Sequence, residues 1–73
     1  MKEKKSQLVQ TAARLYALGV EVEGARERLR ALAASGTPYD AAEMQEAVQR
    51  FQTLRDRWAA LERQYLSLRG EVQ

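Results

Sequence analysis

The chain has 73 residues, with 12 basic and 10 acidic side chains and neither cysteine nor histidine. A chain of this length forms one small domain, and it lacks the residues that usually stabilise small domains through disulfides or zinc. Association with another protein surface is the remaining route to stability. The net charge of +2 is small beside these charge numbers, so it gives no strong indication of nucleic-acid binding.

The N-terminal stretch Met1-Lys2-Glu3-Lys4-Lys5 is basic, but it is not followed by the apolar segment of a secretory signal. No run in the sequence is long and apolar enough to span a bilayer. We therefore expect a soluble, cytoplasmic protein without a membrane span. A role of the lysine-rich start at a membrane surface is a weaker alternative, which liposome flotation would test.

The first predicted helix runs from about residue 4 to residue 35 and carries a heptad repeat. One heptad position is occupied by Leu8, Leu15, Val22 and Leu29. The position three residues later is occupied by Thr11, Leu18, Ala25 and Leu32. This spacing is typical of helices that pack along a continuous apolar seam, and Thr11 is its one polar member.

A turn signal at residues 36–39 separates this block from a second one. Gly36 suits the left-handed position that ends a helix, Thr37 suits the cap of the next, and Pro38 its first turn. Asp40 is placed as a capping-box acid, and Asp40 with Glu43 is an alternative cap one turn later. A loop this short makes the two helices antiparallel neighbours.

The second predicted helix runs from about residue 38 to residue 70 with the same period. Its two rows are Met44, Phe51, Trp58, Tyr65 and Val72, and Ala47, Leu54, Leu61 and Leu68. The sequence therefore predicts an all-α fold, a single domain over residues 1–73 that forms an antiparallel, coiled-coil-like two-helix hairpin. Because one hairpin buries little surface, we expect it to assemble into a four-helix bundle as a homodimer.

Further apolar residues lie outside the seam and predict where a partner binds. Val9, Ala13, Tyr16 and Val20 are spaced by four, three and four residues, which places them on one stripe of the first helix. The second helix adds Ala59 and Leu66 at the same open end of the hairpin. An apolar patch of this kind usually marks an interaction site.

The aromatic residues near this end allow two interpretations. Tyr16, Trp58 and Tyr65 are either interface anchors or ordinary core, and the seam positions of Trp58 and Tyr65 favour core for those two. Gly19 lies beside the seam, where it indicates either close approach of the helices or a hinge.

The side chains of common catalytic sites are missing. There is no histidine for proton transfer, no cysteine nucleophile, and no serine in a nucleophile-elbow context. No acids pair on a predicted buried face, and no glycine-rich loop precedes a Lys-Ser or Lys-Thr dipeptide. We expect a non-enzymatic protein without metal or cofactor.

Besides the weaker membrane-surface alternative, two functions are compatible with the sequence. The first is an interaction module, acting as an adaptor, accessory subunit or small chaperone, which binds itself or a helical partner. The second is a dimeric RNA-binding bundle that uses a face formed by Arg14, Arg28, Arg50 and Arg57. The second is disfavoured because flanking arginines commonly pair with acids and cover apolar surface. Expected pairs along the helices are Glu46 with Arg50, Glu23 with Arg26, and Glu27 with Arg30.

One segment resembles a known repeat. Phe51-x-x-Leu54-x-x-Arg57-Trp58-x-x-Leu61 resembles the third helix of a spectrin repeat, where a tryptophan follows a basic residue. The first helix of that repeat has no counterpart, so no family is assigned. The outline is also similar to sporulation phosphatases, whose Ser-Gln-Glu-Leu-Asp signature is matched only by Val48-Gln49-Arg50-Phe51-Gln52, and to small secretion chaperones.

Overall fold

The computed structural model describes residues 2–72, and this part of the chain forms two helices. Helix α1 spans Lys2–Ala34 and helix α2 spans Ala42–Val72. They lie side by side in a rod of 52 × 14 × 14 Å. The predicted all-α two-helix hairpin is confirmed, while its assembly into a four-helix bundle stays a prediction. Across the described residues, neither helix is long and apolar enough to cross a membrane.

Contacts along the rod establish that the helices are antiparallel. At the open end, Lys4 Nζ lies 3.5 Å from Glu71 Oε2. Near the middle, Gly19 lies beside the Trp58 indole. Closer to the turn, the Arg26 guanidinium lies 5.9 Å from the centre of the Phe51 ring. As the residue numbers rise along α1, the numbers of the neighbouring residues in α2 fall. The segment from Gly19 to Arg26 in α1 is as long as the segment from Trp58 back to Phe51 in α2.

The core is the seam between the two heptad rows. Its buried members are Thr11, Ala25, Met44, Ala47 and Leu54. The other residues of both rows are half-buried: Leu8, Leu15, Leu18, Val22, Leu29, Leu32, Phe51, Trp58, Leu61, Tyr65, Leu68 and Val72. None of the described large side chains is fully enclosed. The seam therefore holds two helices together but leaves most of its own side chains partly in water.

A Schellman motif ends α1. Gly36 has a φ of 77°. Its N–H donates to the Ala33 carbonyl, and the N–H of Thr37 donates to the Leu32 carbonyl, both at 3.0 Å. These two bonds satisfy carbonyl groups that the end of a helix otherwise leaves unpaired. Glycine tolerates this left-handed conformation because it has no Cβ.

Helix α2 begins at Ala42, later than the start near residue 38 that the sequence predicts. The physical reason is that residues 38–41 form a separate turn and not the first turn of α2, so Thr37 does not stand at the start of this helix. A further turn follows, in which the N–H of Ala41 donates to the Pro38 carbonyl at 3.1 Å. The Ala41 carbonyl then accepts the first bond of α2, from the N–H of Gln45 at 3.0 Å.

Ala41 therefore holds the N-cap position that the sequence assigns to Thr37 or Asp40. The side chain of Gln45 reaches back and donates from Nε2 to the Tyr39 carbonyl at 2.7 Å. Among the hydrogen bonds of the described residues, none involves the Asp40 carboxylate or the Thr37 hydroxyl. The loop is thus ordered by backbone bonds and one glutamine, and not by a capping box.

Candidate interaction surface

The six residues predicted to form an interface differ in exposure. The exposed fraction is 68% for Val9, 77% for Tyr16, 57% for Val20 and 52% for Leu66. Ala13 is also exposed, and Ala59 is half-buried. In the described parts of the two helices, those four are the large apolar side chains left exposed. The hairpin alone therefore does not cover this patch.

Most of these residues lie on one side of the hairpin. The heptad position directly after the first seam row is occupied in both helices, by Val9, Tyr16, Ala59 and Leu66. In an antiparallel helix pair, equivalent flanking positions lie along the same edge of the seam. Ala13 and Val20 extend the patch around the outer side of α1. We call Val9, Ala13, Tyr16, Val20, Ala59 and Leu66 together the apolar flank.

An open groove runs between the helices beside the apolar flank. It is lined by Tyr16, Gly19 and Val20 of α1 and by Trp58 and Arg55 of α2. A Cβ at Gly19 would lie 3.5 Å from Trp58 Nε1, an ordinary van der Waals distance. Gly19 lies within α1, beside the indole, which agrees with the close approach of the helices that the sequence indicates as one explanation. Trp58 lines this groove and is half-buried.

Two arginines bound the groove towards the turn. The guanidinium groups of Arg26 and Arg55 lie 5.9 and 5.8 Å from the centre of the Phe51 ring. Cation–π contacts at exposed sites contribute about 0.5–1 kcal/mol each. Arg55 follows Phe51 by four residues, a helical spacing visible in the sequence. The Arg26 contact was missed, because it depends on the register between the helices.

The opposite edge of the seam carries the arginine face of the alternative hypothesis. Arg28, Arg50 and Arg57 line a second open groove, and Glu46 lines it with them. Arg14 occupies the same heptad position as Arg28, and all four arginines are exposed. None of them takes part in an ion pair among the described residues.

The ion pairs that form differ in part from those expected. Arg26 pairs with Glu23 at 3.4 Å and Arg30 with Glu27 at 2.8 Å. The expected pair of Glu46 with Arg50 is not formed. All of these side chains are largely exposed, so each pair contributes a few tenths of a kcal/mol at most.

Tyr39 is an exposed aromatic residue that the sequence did not single out. It lies in the loop, with 73% of its surface exposed, far from the apolar flank. A loop position has no heptad period, so periodicity carries no signal for it.

The described residues contain no group of three or more side chains that would hold a metal ion. Comparison of the chain with protein-family models, curated proteins and solved structures finds no match. The candidate surfaces of the described residues are those shown by the geometry: the apolar flank and the arginine edge on the other side of the seam.

Proposed function

We propose that this chain is a non-enzymatic interaction module that associates with itself or docks to a helical partner through the apolar flank. The observation that carries the proposal is the exposure of Val9, Tyr16, Val20 and Leu66 on two long helices. Water-exposed apolar side chains grouped in this way commonly mark binding surfaces. Adaptor, accessory subunit and small chaperone are the roles that this mode of action serves.

The thin core supports the same proposal. Fully burying a Val or Leu side chain contributes about 1.5–3 kcal/mol, and most seam residues here are only half-buried. Small helical proteins without disulfides or metals gain the missing burial by oligomerisation. A partner on the apolar flank would therefore stabilise the hairpin as well as bind it.

The test is the substitution Tyr16→Glu, with Tyr39→Glu as the matched control. Both tyrosines are about equally exposed, but only Tyr16 belongs to the apolar flank. We expect the wild type and Tyr39→Glu to be dimers at micromolar concentration. Tyr16→Glu is expected to be a monomer, because it places a charge in the buried contact. Multi-angle light scattering measures the mass, and far-UV circular dichroism measures the helix content.

Val20→Asp is a second variant that should give the same result. The proposal of self-association is contradicted if the wild type is a stably folded monomer at micromolar concentration. It is contradicted equally if Tyr16→Glu and Tyr39→Glu reduce the dimer to the same extent.

The arginine edge supports RNA binding as a second candidate function. Four exposed arginines share one edge, and none is neutralised by an ion pair among the described residues. Arginines placed this way can contact phosphates along a nucleic acid backbone. Glu46 lines the same groove and weakens its positive field, so this candidate ranks second.

Retention on immobilised RNA, measured at increasing salt, tests this candidate. The double variant Arg14→Glu/Arg57→Glu replaces two positive charges of the edge with negative ones, whereas Arg63→Glu reverses the charge of an exposed arginine elsewhere on α2. We expect salt-sensitive binding that the double variant loses and Arg63→Glu largely keeps. Binding that responds equally to both variants would indicate only non-specific attraction and reject the arginine edge as a site.

A further inference from the structure

The apolar flank has an internal symmetry that identifies its partner. Resting on the proposed function, we propose that the partner is a second copy of this chain, packed antiparallel across a two-fold axis at the level midway between Ala13 and Tyr16. Each helix would then lie against the same helix of the second copy, running in the opposite direction. The spacing of the flank residues, the surface area of the hairpin and its charges support this arrangement.

The stripe on α1 reads the same in both directions. Val9, Ala13, Tyr16 and Val20 are separated by four, three and four residues, so the pattern is symmetric about its centre. When two copies of α1 run antiparallel about this centre, Val9 faces Val20 and Ala13 faces Tyr16. Each tyrosine then meets the small side chain of an alanine. A two-fold interface requires a surface that is complementary to itself in this way.

Helix α2 has the same centre, which is an independent observation. The midpoint of Ala59 and Leu66 lies between four and five residues after Trp58. The midpoint of the α1 stripe lies between four and five residues before Gly19, which is the neighbour of Trp58. In an antiparallel hairpin these two midpoints are at the same level along the rod. One two-fold axis therefore also brings Leu66 against Ala59 of the second copy.

The surface area of the hairpin is consistent with one missing contact. The hairpin exposes 5619 Å², whereas a compact monomer of 8.3 kDa exposes about 4600 Å². The excess is roughly 1000 Å², and a typical specific interface buries about 800 Å² on each partner. Covering one long side of the rod would thus bring its exposure to that of an ordinary folded protein.

The charges at the ends of the contact agree with the same rotation. Lys5 lies before the stripe and Glu23 lies beyond it, at similar distances from the centre. Antiparallel packing brings Lys5 of one copy close to Glu23 of the other, whereas parallel packing would place like charges together. Every neighbouring helix pair in the bundle is also antiparallel, which aligns the helix dipoles favourably.

Disulfide trapping tests the register, because the chain has no cysteine of its own. The variant Val9→Cys/Val20→Cys is oxidised under mild conditions and compared with each single variant. Within one α1, these positions are about 16 Å apart along the helix axis, too far for a disulfide. We expect the double variant to form a covalent dimer and each single variant to remain monomeric on a non-reducing gel.

Ala59→Cys/Leu66→Cys is a second pair on α2, which reports on the same register if the first variant does not fold. Cross-linking of both single variants would indicate a parallel dimer and overturn the inference. A dimer by light scattering in which neither double variant cross-links would also overturn it, while leaving the proposed interaction function intact. A folded wild-type monomer would contradict both the inference and self-association.

Discussion

At the residue scale, two glycines of similar exposure have opposite roles. Gly36 ends α1 with a φ of 77°, a conformation that costs a residue with a Cβ about 1 kcal/mol or more. Gly24 lies in the interior of α1, and a Cβ there would meet no other atom within 4 Å. Glycine at that position costs helix stability without a contact that explains it.

We therefore expect Gly36→Ala to lower the free energy of unfolding by about 1 kcal/mol, and Gly24→Ala to raise it by up to about 1 kcal/mol. Urea unfolding at one fixed protein concentration measures both, with the slope of the transition checked for constancy. Shifts of the two variants in the same direction would contradict this assignment of backbone roles.

At the scale of the element, α2 carries leucines both in the seam and on the apolar flank, and they contribute to different interactions. Leu54 is 5% exposed in the seam, and Leu66 is 52% exposed on the apolar flank. Removing the Leu54 side chain opens a cavity in the thin core. Removing the Leu66 side chain breaks few contacts within a single hairpin, because that side chain is largely exposed. The same substitution thus separates the stability of the hairpin from its association.

We expect Leu54→Ala to lower the free energy of unfolding by about 2–3 kcal/mol, and Leu66→Ala to change it by about 0.5 kcal/mol or less. Both are measured in the Tyr16→Glu background, so that dissociation does not contribute. In the wild-type background, Leu66→Ala should instead weaken the dimer in light scattering. A large loss of stability for Leu66→Ala in the monomer would mean that this side chain belongs to the core.

The bounds of the elements were predictable to different degrees. The end of α1 follows from Gly36, because only a few residues tolerate the left-handed conformation there. The start of α2 did not follow from Thr37 and Pro38, because a separate turn from Pro38 to Ala41 precedes the helix and the Ala41 carbonyl accepts its first bond. Local propensity does not tell which of two helix ends a loop residue will serve.

At the scale of the whole molecule, the seam divides the rod into two unlike edges. The apolar flank lies on one edge and Arg14, Arg28, Arg50 and Arg57 lie on the other. In the proposed dimer, the flanks of two copies face each other, so the arginine edges point outwards on opposite sides. Self-association and RNA binding would therefore use separate surfaces. We expect Tyr16→Glu to prevent self-association and to leave the arginine edge unchanged.

The sequence by itself determined the two helices, the residues of the seam and the glycine that ends α1. The heptad period and the backbone freedom of glycine are local properties of the sequence. Both can be recognised without knowing how the two helices pack against each other. Only the tertiary structure decided the start of α2, the approach of Arg26 to Phe51, and the common level of the α1 stripe and the Ala59–Leu66 pair. The start of α2 depends on the hydrogen bonds of the loop. The other two depend on how far one helix is shifted along the other, which is set by the loop geometry and by packing across the seam.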